Sequence, residues 1–278
     1  MKFVFGFVIM NTMLNPGGLM NIFANANSYY DTVFKRRSVR KYSTSKVMTL
    51  QDAEAVLELC KEIIPLCPEI KTEFRLMRRE ELSVKFGHYC ILMYSEKKDN
   101  CYVNAGYMLE QLELQLEANG IGVCWYGLAS PKEKVTEDGL EFMIMLTFGI
   151  ADGDFLRTNA SDFSRKSCEQ IWLGEDRYGV SGAVRLAPSA CNSQPWMFES
   201  SGDIIRVSRK TDVRTIIPRA FRKRFNSIDI GIALCIFEIT LLAKRIDFER
   251  SVLSESSASD ENNLIAIAEY SLKKETKK

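Results

Sequence analysis

The pattern that decides the fold lies in residues 104–127, NAGYMLEQLELQLEANGIGVCWYG. Its apolar positions recur at helical spacing and cover more than a narrow stripe, which predicts a long, largely buried helix over 102–119. Gly120 ends this helix, and residues 121–128 continue as extended chain. A buried helix that runs directly into a strand is therefore the centre of the predicted fold.

A second stretch repeats this pattern further along the chain. Residues 227–245 predict another long apolar helix, and residues 104–118 align with 229–243 without a gap. The alignment pairs identical residue types at several positions: Gly106 with Gly231, Leu109 with Leu234, Glu113 with Glu238, Leu116 with Leu241 and Ala118 with Ala243. Two buried helices share some apolar positions by chance, but the shared glycine, glutamate and alanine favour a tandem duplication. Two copies predict a pair of related halves rather than a solenoid.

The predicted elements give an α+β fold class with mixed sheets. Besides the long helices, shorter helices are predicted over 29–34, 50–64 and 180–186, and strands over 73–78, 89–94, 141–150, 204–207 and 263–272. We expect residues 28–168 to form the first half and residues 169–278 a second, reduced half. Residues 1–27 are expected to form an N-terminal arm outside the fold.

The composition excludes several classes of protein. Hydrophobic residues make up 46% of the chain and charged residues 26%, close to the globular average, which excludes disorder as the main state. The 37 Lys and Arg residues against 36 Asp and Glu residues give a net charge of +1, so global charge does not attract nucleic acid. The longest apolar runs are about eight residues, well short of the ~20 that span a bilayer. We expect a protein that binds neither nucleic acid nor membrane.

The cysteine and histidine contents limit the kinds of catalysis that the chain can perform. The eight cysteines form no CxxC pair and lie mostly in apolar segments, which is typical of a reducing compartment and predicts a cytoplasmic protein. His88 is the single histidine and is interpreted as a packed side chain. One histidine disfavours hydrolytic triads and multi-histidine metal sites. The chemistry is therefore expected to come from a cofactor rather than from a metal or from catalytic side chains.

Two further segments have unusual residue patterns. The first is FKRRSVRKYS at 34–43, which by composition alone is as well explained by a solvated basic turn as by a functional element. The second is SGAVRLAPSACNSQPWMFE at 181–199, where the prolines force a tight extended turn. A structural turn explains the prolines, but it leaves the amides of Asn192 and Gln194 unexplained.

Together with residues 104–127, these segments resemble the FMN-dependent nitroreductase family. The matching motifs are RRSxR at 36–40, APSxxNxQPW at 187–196 and GxGxCWxG at 120–127. The order departs from the family's, because the proline turn stands in the second copy and the RRSxR element in the first. Family members are typically homodimers with FMN at the interface, where these two elements face each other. The resemblance thus implies a nitroreductase-like fold built as a single-chain pseudo-dimer.

The resemblance implies cofactor-binding roles for residues of the first half. Arg36 and Ser38 match positions that hold the phosphate and ribityl chain of FMN, with Arg37 beside them. Arg40 matches a cation near N1 and O2 of the flavin, where a positive charge stabilises the anionic reduced ring. The backbone that lies along the isoalloxazine and donates an N–H near N5 matches four residues: Trp125, Tyr126, Gly127 and Leu128.

The second half supplies the turn that faces the flavin from the opposite side. Pro188, Ser189 and Ala190 match this turn. The amides of Asn192 and Gln194 match groups that either hold the edge of the ring or brace the turn.

Two basic segments complete the candidates. FSRKSCEQI at 163–171 matches a family element that reaches the phosphate, with Arg165 the first candidate and Lys166 the second, although a charged surface turn explains it nearly as well. Residues 206–224 hold eight Lys or Arg residues and one acid, Asp212. A solvated loop is the leading interpretation of that stretch, and attraction of an anionic nicotinamide nucleotide is the second.

The function implied by the resemblance is FMN-dependent oxidoreduction. NAD(P)H, the co-substrate, would deliver hydride to flavin N5, and a small conjugated acceptor of the nitroaromatic or quinone type would then take its place in a ping-pong route. Because one RRSxR and one PSxxN element are present, we expect one FMN per chain and a monomer. The alternative is a non-enzymatic FMN-binding redox sensor or carrier.

Overall fold

The computed structural model describes residues 22–255, 258, 260 and 262–274. The α-helices are α1 (Ala26–Val33), α2 (Leu50–Leu59), α3 (Cys101–Ala118), α4 (Ser181–Val184) and α5 (Arg219–Ala243). The strands are β1 (Thr72–Arg78), β2 (Tyr89–Ser95), β3 (Gly122–Tyr126), β4 (Glu141–Gly149), β5 (Trp172–Leu173), β6 (Trp196–Ser201), β7 (Ile204–Lys210), β8 (Ile246–Val252) and β9 (Leu264–Lys274). Short 3₁₀ turns occupy Cys60–Glu62, Arg79–Glu81, Ala160–Asp162, Cys168–Gln170 and Ala190–Asn192. The predicted α+β class is confirmed.

The strands form two sheets with related strand orders. The first sheet has the order β1-β2-β4-β3 and is antiparallel throughout. The second has the order β5-β6-β7-β9-β8, in which the β5–β6 pair is parallel and the others are antiparallel. If β5 is left aside, each sheet has four strands that are connected in the same way. In each sheet a long helix, α3 in the first and α5 in the second, joins the second strand in chain order to the third.

The two long helices pack against each other backbone to backbone. Ideal Cβ atoms placed on Gly106 of α3 and on Gly231 of α5 would overlap the carbonyl oxygens of Ile228 and Val103, respectively. The two contacts are reciprocal in the helix alignment, since Gly106 corresponds to Gly231 and Val103 to Ile228. Only glycine allows this approach, so the shared glycines set the distance between the helices.

Helix α5 begins earlier than the sequence predicts. It starts at Arg219 rather than at residue 227, and its first turns read RAFRKRFN. Arg and Lys have good helix propensity, and Phe221 and Phe225 stand four residues apart on one face. Because this segment is rich in charged residues, it shows little apolar periodicity, and its helical structure was not predicted.

The N-terminal segment enters the core before the predicted boundary. The side chains of Ile22 and Ala26 are buried, and the ring of Phe23 stacks on Tyr107 of α3 with centroids 5.7 Å apart. The prediction of an arm over 1–27 is therefore wrong for residues 22–27, because their apolar side chains cover the central helix. Residues 1–21 lie outside the described part of the chain.

Three strands were not predicted from the sequence: β5, β6 and β8. Strand β6 was assigned to the proline turn, and β8, IDFERSV, alternates apolar and charged residues in a way that resembles exposed loop. The helix predicted from residue 50 does begin there, since Thr49 Oγ1 accepts the N–H of Asp52 at 3.1 Å and the Asp52 side chain returns the bond.

Helix α5 is the helix of the described residues that is long and apolar enough to cross a membrane. Its most apolar window has a mean hydropathy of 1.7, and 89% of that window is buried inside the protein. Core helices of soluble proteins pass the same test of length and composition. The burial is that of a central packing helix.

Candidate functional site

A cavity of about 580 Å³ lies between the end of β3, the turn before β6 and the first turns of α5. Eight of the residues predicted from the sequence line it: Ser38, Arg40, Trp125, Gly127, Leu128, Pro188, Ser189 and Ala190. The structure thus brings the RRSxR element, the end of the first long-helix unit and the proline turn to one place, although they are far apart in sequence.

The RRSxR element reaches the cavity because it runs along the free edge of β3. The N–H of Val39 donates to the carbonyl of Val123 at 2.8 Å, and the Val39 side chain is buried. Extended chain alternates its side chains, so Ser38 and Arg40 face the opposite way from Val39, toward the cavity. The spacing of the motif is therefore a consequence of strand geometry.

The proline turn is held in place by Asp229 of α5. Its buried carboxylate accepts the N–H of Ala190 at 2.9 Å and the hydroxyl of Ser193 at 3.1 Å. Burial, opposed by these hydrogen bonds, raises the pKa of Asp229 to about 7. Cys191, Asn192 and Gln194 all adopt positive φ in this turn. Such a conformation is costly for Cys and Gln and persists only where surrounding contacts impose it.

Three predicted residues brace the turn instead of lining the cavity. Lys166 Nζ donates to the carbonyls of Ser193 and Gln194, both at 3.0 Å, and the Lys166 N–H donates to Gln194 Oε1 at 2.8 Å. Asn192 Nδ2 donates to the carbonyl of Ser164 at 3.0 Å. Of the two roles left open for the amides, the contacts favour bracing.

Arg36 lies behind the cavity wall, where it pairs with a buried glutamate. Its Nη2 contacts Glu113 Oε1 at 3.0 Å and also lies 3.3 Å from the hydroxyl of Ser38, while its Nε is buried without a hydrogen-bond partner. Trp125 Nε1 donates to the other oxygen of Glu113 at 2.8 Å. Arg36 thus connects the central helix to two residues of the cavity, Ser38 and Trp125, without lining the cavity itself.

Glu113 belongs to a row of three buried glutamates on α3. Burial and the Glu113 charge raise the pKa of Glu110, and burial raises that of Glu117 to about 8. Glu117 accepts the N–H of Arg37 at 2.9 Å, while both carboxyl oxygens of Glu110 are buried without a hydrogen-bond partner among the described residues. Arg37 therefore contacts this row of glutamates through its backbone.

Four guanidinium groups surround this region. Burial lowers the pKa of Arg165 to about 10, and the charges of Arg36, Arg157 and Arg185 add to the effect. Arg165 donates to Asn192 Oδ1 at 2.8 Å and to the carbonyl of Ala187 at 3.1 Å, so its guanidinium lies against the turn. Mutual repulsion among cations is relieved when an anion binds among them. The position of Arg165 therefore fits a phosphate-binding role.

These features fit the flavin cofactor that the resemblance implies. The volume is within the range of small-molecule sites. Two cations that line the cavity, Arg40 and Arg224, suit an anionic group, and the apolar side chains along α5 suit an aromatic ring system. Cationic and apolar lining residues in one cavity match an anionic aromatic ligand.

Several cavity residues were not predicted. The interpretation of residues 206–224 as a solvated loop is wrong at both ends, because residues 206–210 belong to β7 and residues 219–224 begin α5. Residues of this stretch and of the rest of α5 form one wall of the cavity: Ile216, Ile217, Pro218, Phe221, Arg224, Phe225, Ile228 and Ile232. Leu128, Ile216 and Phe221 also remain 93%, 88% and 51% exposed. The apolar triplet IIP within the basic stretch was the visible signal for this wall.

Two residues of the WYGL segment have roles other than those expected. A Cβ on Gly127 would lie 2.5 Å from the ring of Phe225, so the glycine makes room for that phenylalanine. Tyr126 is buried on the far side of β3, where its ring packs edge-on against Phe86 at 5.2 Å. Tyr126 lines no part of the cavity.

The chain belongs to a nitroreductase family. The family described as "Putative TM nitroreductase" matches residues 28–241. The crystal structure of "a putative nitroreductase" from Thermotoga maritima is 20% identical and covers 76% of this chain and 82% of its own, with a TM-score of 0.53. At that similarity the two proteins share a fold. No protein with curated annotation matches the sequence.

Other similar structures cover about half of this chain. "A putative nitroreductase in complex with fmn" from Desulfovibrio desulfuricans is 15% identical and covers 53% of this chain and 96% of its own, with a TM-score of 0.39. A "Putative NADH dehydrogenase/NAD(P)H nitroreductase" from Bacteroides thetaiotaomicron is also 15% identical and covers 55% of this chain and 99% of its own, with a TM-score of 0.42.

Proposed function

We propose that this chain is an FMN-dependent oxidoreductase that passes hydride from NAD(P)H to a small conjugated acceptor. The observation that carries the proposal is the meeting of Ser38 and Arg40 with Ser189 and Ala190 around one cavity. Membership of the nitroreductase family supports it independently.

Each wall of the cavity has a role in the proposal. Arg165, supported by Arg36 behind Ser38, would hold the phosphate of FMN, and Arg40 would offset negative charge on the ring. Bound FMN supplies the redox chemistry, taking hydride at N5 and returning it to the acceptor. The exposed apolar rim of Leu128, Ile216 and Phe221 suits a flat nitroaromatic or quinone, because binding there removes apolar surface from water.

We further propose that the chain is a fused pair of related halves, residues 28–168 and 169–278. The repeated strand order and the reciprocal glycine contacts support this, since residue i contacting j and j contacting i is the mark of a two-fold interface. A pair of equivalent contacts, one inside each half, agrees with it. Asn104 Oδ1 accepts the N–H groups of Leu66 and Cys67 at 2.8 and 3.1 Å, just as Asp229, its counterpart in the alignment, holds Ala190.

The halves supply one complete site rather than two, so we propose a monomer with one FMN. At the opposite end of the helix pair, Glu238 is bound by Arg250, Tyr107 and Tyr270. Phe23 packs on the same Tyr107. Continuing the helix alignment at the same spacing pairs Trp125 with Arg250, which is already bound to a buried carboxylate.

The decisive experiment is flavin stoichiometry. Apo-protein saturated with FMN should bind one flavin per chain, measured by flavin absorbance against chain concentration. Ser189→Glu should weaken binding by at least about tenfold, because it places a carboxylate in a cavity that has to accept an anion. Ser45→Glu, at an exposed serine outside the cavity, is the control and should bind normally. Two flavins per chain, or none, would overturn the single-site proposal.

Steady-state turnover separates the enzyme from the alternative. FMN-loaded protein should oxidise NAD(P)H continuously when nitroaromatic or quinone acceptors are present. Flavin that is reduced rapidly and is reoxidised by none of the acceptors would instead identify a redox sensor or carrier.

A further inference from the structure

A second cavity, of about 620 Å³, shares Arg40 with the first and is lined by cations. We call it the basic cleft, and its charged lining residues are Arg40, Lys41, Arg78, Arg79, Lys85, Glu80 and Asp152. We propose that the basic cleft binds the 2′-phosphorylated adenosine of NADPH, so that the protein prefers NADPH to NADH. The proposal rests on the proposed function, because it assigns the co-substrate of the same site.

The charges of the basic cleft suit a phosphomonoester. Five cations face two carboxylates, an excess of three positive charges. Arg79 pairs with Glu80 at 2.8 Å, whereas Arg40, Lys41, Arg78 and Lys85 form no ion pair within the described residues. The 2′-phosphate that distinguishes NADPH from NADH carries about −1.5 to −2 charges, as phosphomonoesters do near neutral pH.

The aromatic floor of the basic cleft suits an adenine ring. The rings of Tyr42 and Phe86 stack with centroids 6.4 Å apart, and both are half-buried. His88 fixes this floor, since its Nδ1 accepts the N–H of Met48 at 3.1 Å and its Nε2 donates to the carbonyl of Ser43 at 2.8 Å. Both ring nitrogens are occupied, so His88 is a neutral positioning residue rather than a phosphate ligand.

The path between the two cavities follows the RRSxR strand. Ser43 donates to the carbonyl of Ile150 at 2.9 Å, and Val39 donates to Val123, so residues 38–43 run along the sheet edge from one cavity to the other. A nicotinamide placed in the first cavity would therefore extend its adenosine past Arg40 into the basic cleft.

The basic stretch 206–224 is less suited to the same ligand, because its cations are largely engaged. Arg206 pairs with Glu269 at 3.3 Å and Arg209 with Glu255 at 2.6 Å. Arg222 donates to the carbonyl of Ile217 at 2.9 Å, and Arg224 donates to that of Met143. The unpaired cations of the basic cleft are the better match for a phosphate.

Calorimetric titration with adenosine 2′,5′-bisphosphate and with 5′-AMP tests the proposal on the FMN-loaded protein. The bisphosphate should bind more tightly than 5′-AMP. Lys85→Ala should weaken the bisphosphate roughly two- to fivefold, the range for an exposed ion pair, and leave 5′-AMP unchanged. Lys134→Ala, at an exposed lysine outside both cavities, should change neither affinity. Equal affinities for the two nucleotides, or no effect of Lys85→Ala, would overturn the proposal.

Two further measurements identify the ligand and distinguish the nucleotide proposal from the proposed enzymatic function. Inorganic phosphate that competes as well as the bisphosphate would overturn the nucleotide assignment in favour of a free-anion site. The kcat/KM for NADPH should fall in Lys85→Ala while that for NADH stays constant. FMN content is measured on the same samples. A protein that binds FMN and prefers the bisphosphate to 5′-AMP, but does not turn over, would contradict the enzymatic function. The same result would still support nucleotide binding in the basic cleft.

Discussion

The two long helices carry a glutamate at matched positions, and the surroundings of the two glutamates differ. Glu113 pairs with Arg36 and accepts from Trp125, whose ring borders the first cavity. Glu238 instead accepts from Tyr107 at 2.6 Å and Tyr270 at 2.7 Å. A glutamate at the same position of each long helix therefore lies beside an open cavity at one end of the helix pair and in a buried hydrogen-bond network at the other.

The difference lies in a few side chains rather than in the backbone. Trp125 and Arg250 occupy matched positions in the alignment, and both donate to the glutamate of their own unit. Asn104 and Asp229 are matched as well, since Asn104 of α3 holds the turn before β1 and Asp229 of α5 holds the turn before β6. The two units thus share their topology and several hydrogen bonds but differ in the charges of the matched side chains. We infer that these charges distinguish the end that forms a binding cavity from the end that is structural.

The largest expected effect concerns Asp229 and Asn104. The folded state holds the Asp229 proton up to about pH 7, whereas an unfolded aspartate, with a pKa of 3.8, has already lost it. Wild-type stability relative to Asp229→Asn should therefore fall as pH rises from 3.8 to 7, at about 1.4 kcal/mol per pH unit and about 4 kcal/mol in all. Urea unfolding across this range measures the difference.

The reverse exchange is the control for that prediction. Asn104→Asp places a carboxyl at the matched position and should introduce a pH dependence of the same sign, with greatest stability at low pH. A constant difference between wild type and Asp229→Asn across the range would contradict the raised pKa of Asp229.

The second expected effect concerns the helix contact. Gly106→Ala and Gly231→Ala should each destabilise the protein by about 3 kcal/mol, because the new methyl group meets a backbone carbonyl that cannot rotate away. Gly182→Ala is the control, since nothing lies within 4 Å of its Cβ position. Thermal or urea unfolding gives the values. Very unequal losses of stability in the two variants would contradict the interpretation of the two glycine contacts as equivalent.

The smallest expected effect sharpens the contrast between the glutamates. Arg250→Met should cost about 2 kcal/mol, because it leaves the buried Glu238 carboxylate with hydroxyl partners only. Trp125→Phe should cost about 1 kcal/mol, the value of one hydrogen bond, since Arg36 still neutralises Glu113. FMN binding should weaken in Trp125→Phe alone, which flavin titration of both variants measures. Weakened binding in Arg250→Met would contradict the assignment of that end as structural.

Local patterns predicted much of the fold and the site. The long helices and most strands follow from apolar periodicity, and the cavity residues Ser38, Arg40 and Ser189 follow from the motifs that resemble those of the nitroreductase family. Contacts between distant segments could not be predicted in this way. The Arg36–Glu113 pair joins residues 77 positions apart, and no local pattern indicates which carboxylate receives that arginine. The wall built from Ile216 and Phe221 likewise depends on how α5 begins.

Both central helices belong to one polypeptide, and this has a consequence for inheritance. In a symmetric homodimer each codon is expressed at two places, so a replacement that improves one end is imposed on the other. Here each codon is expressed once per molecule. Selection can place an aspartate at 229 while keeping an asparagine at 104, and a tryptophan at 125 while keeping an arginine at 250. The walls of the first cavity also remain together at any dilution, because a peptide chain links them instead of an association equilibrium.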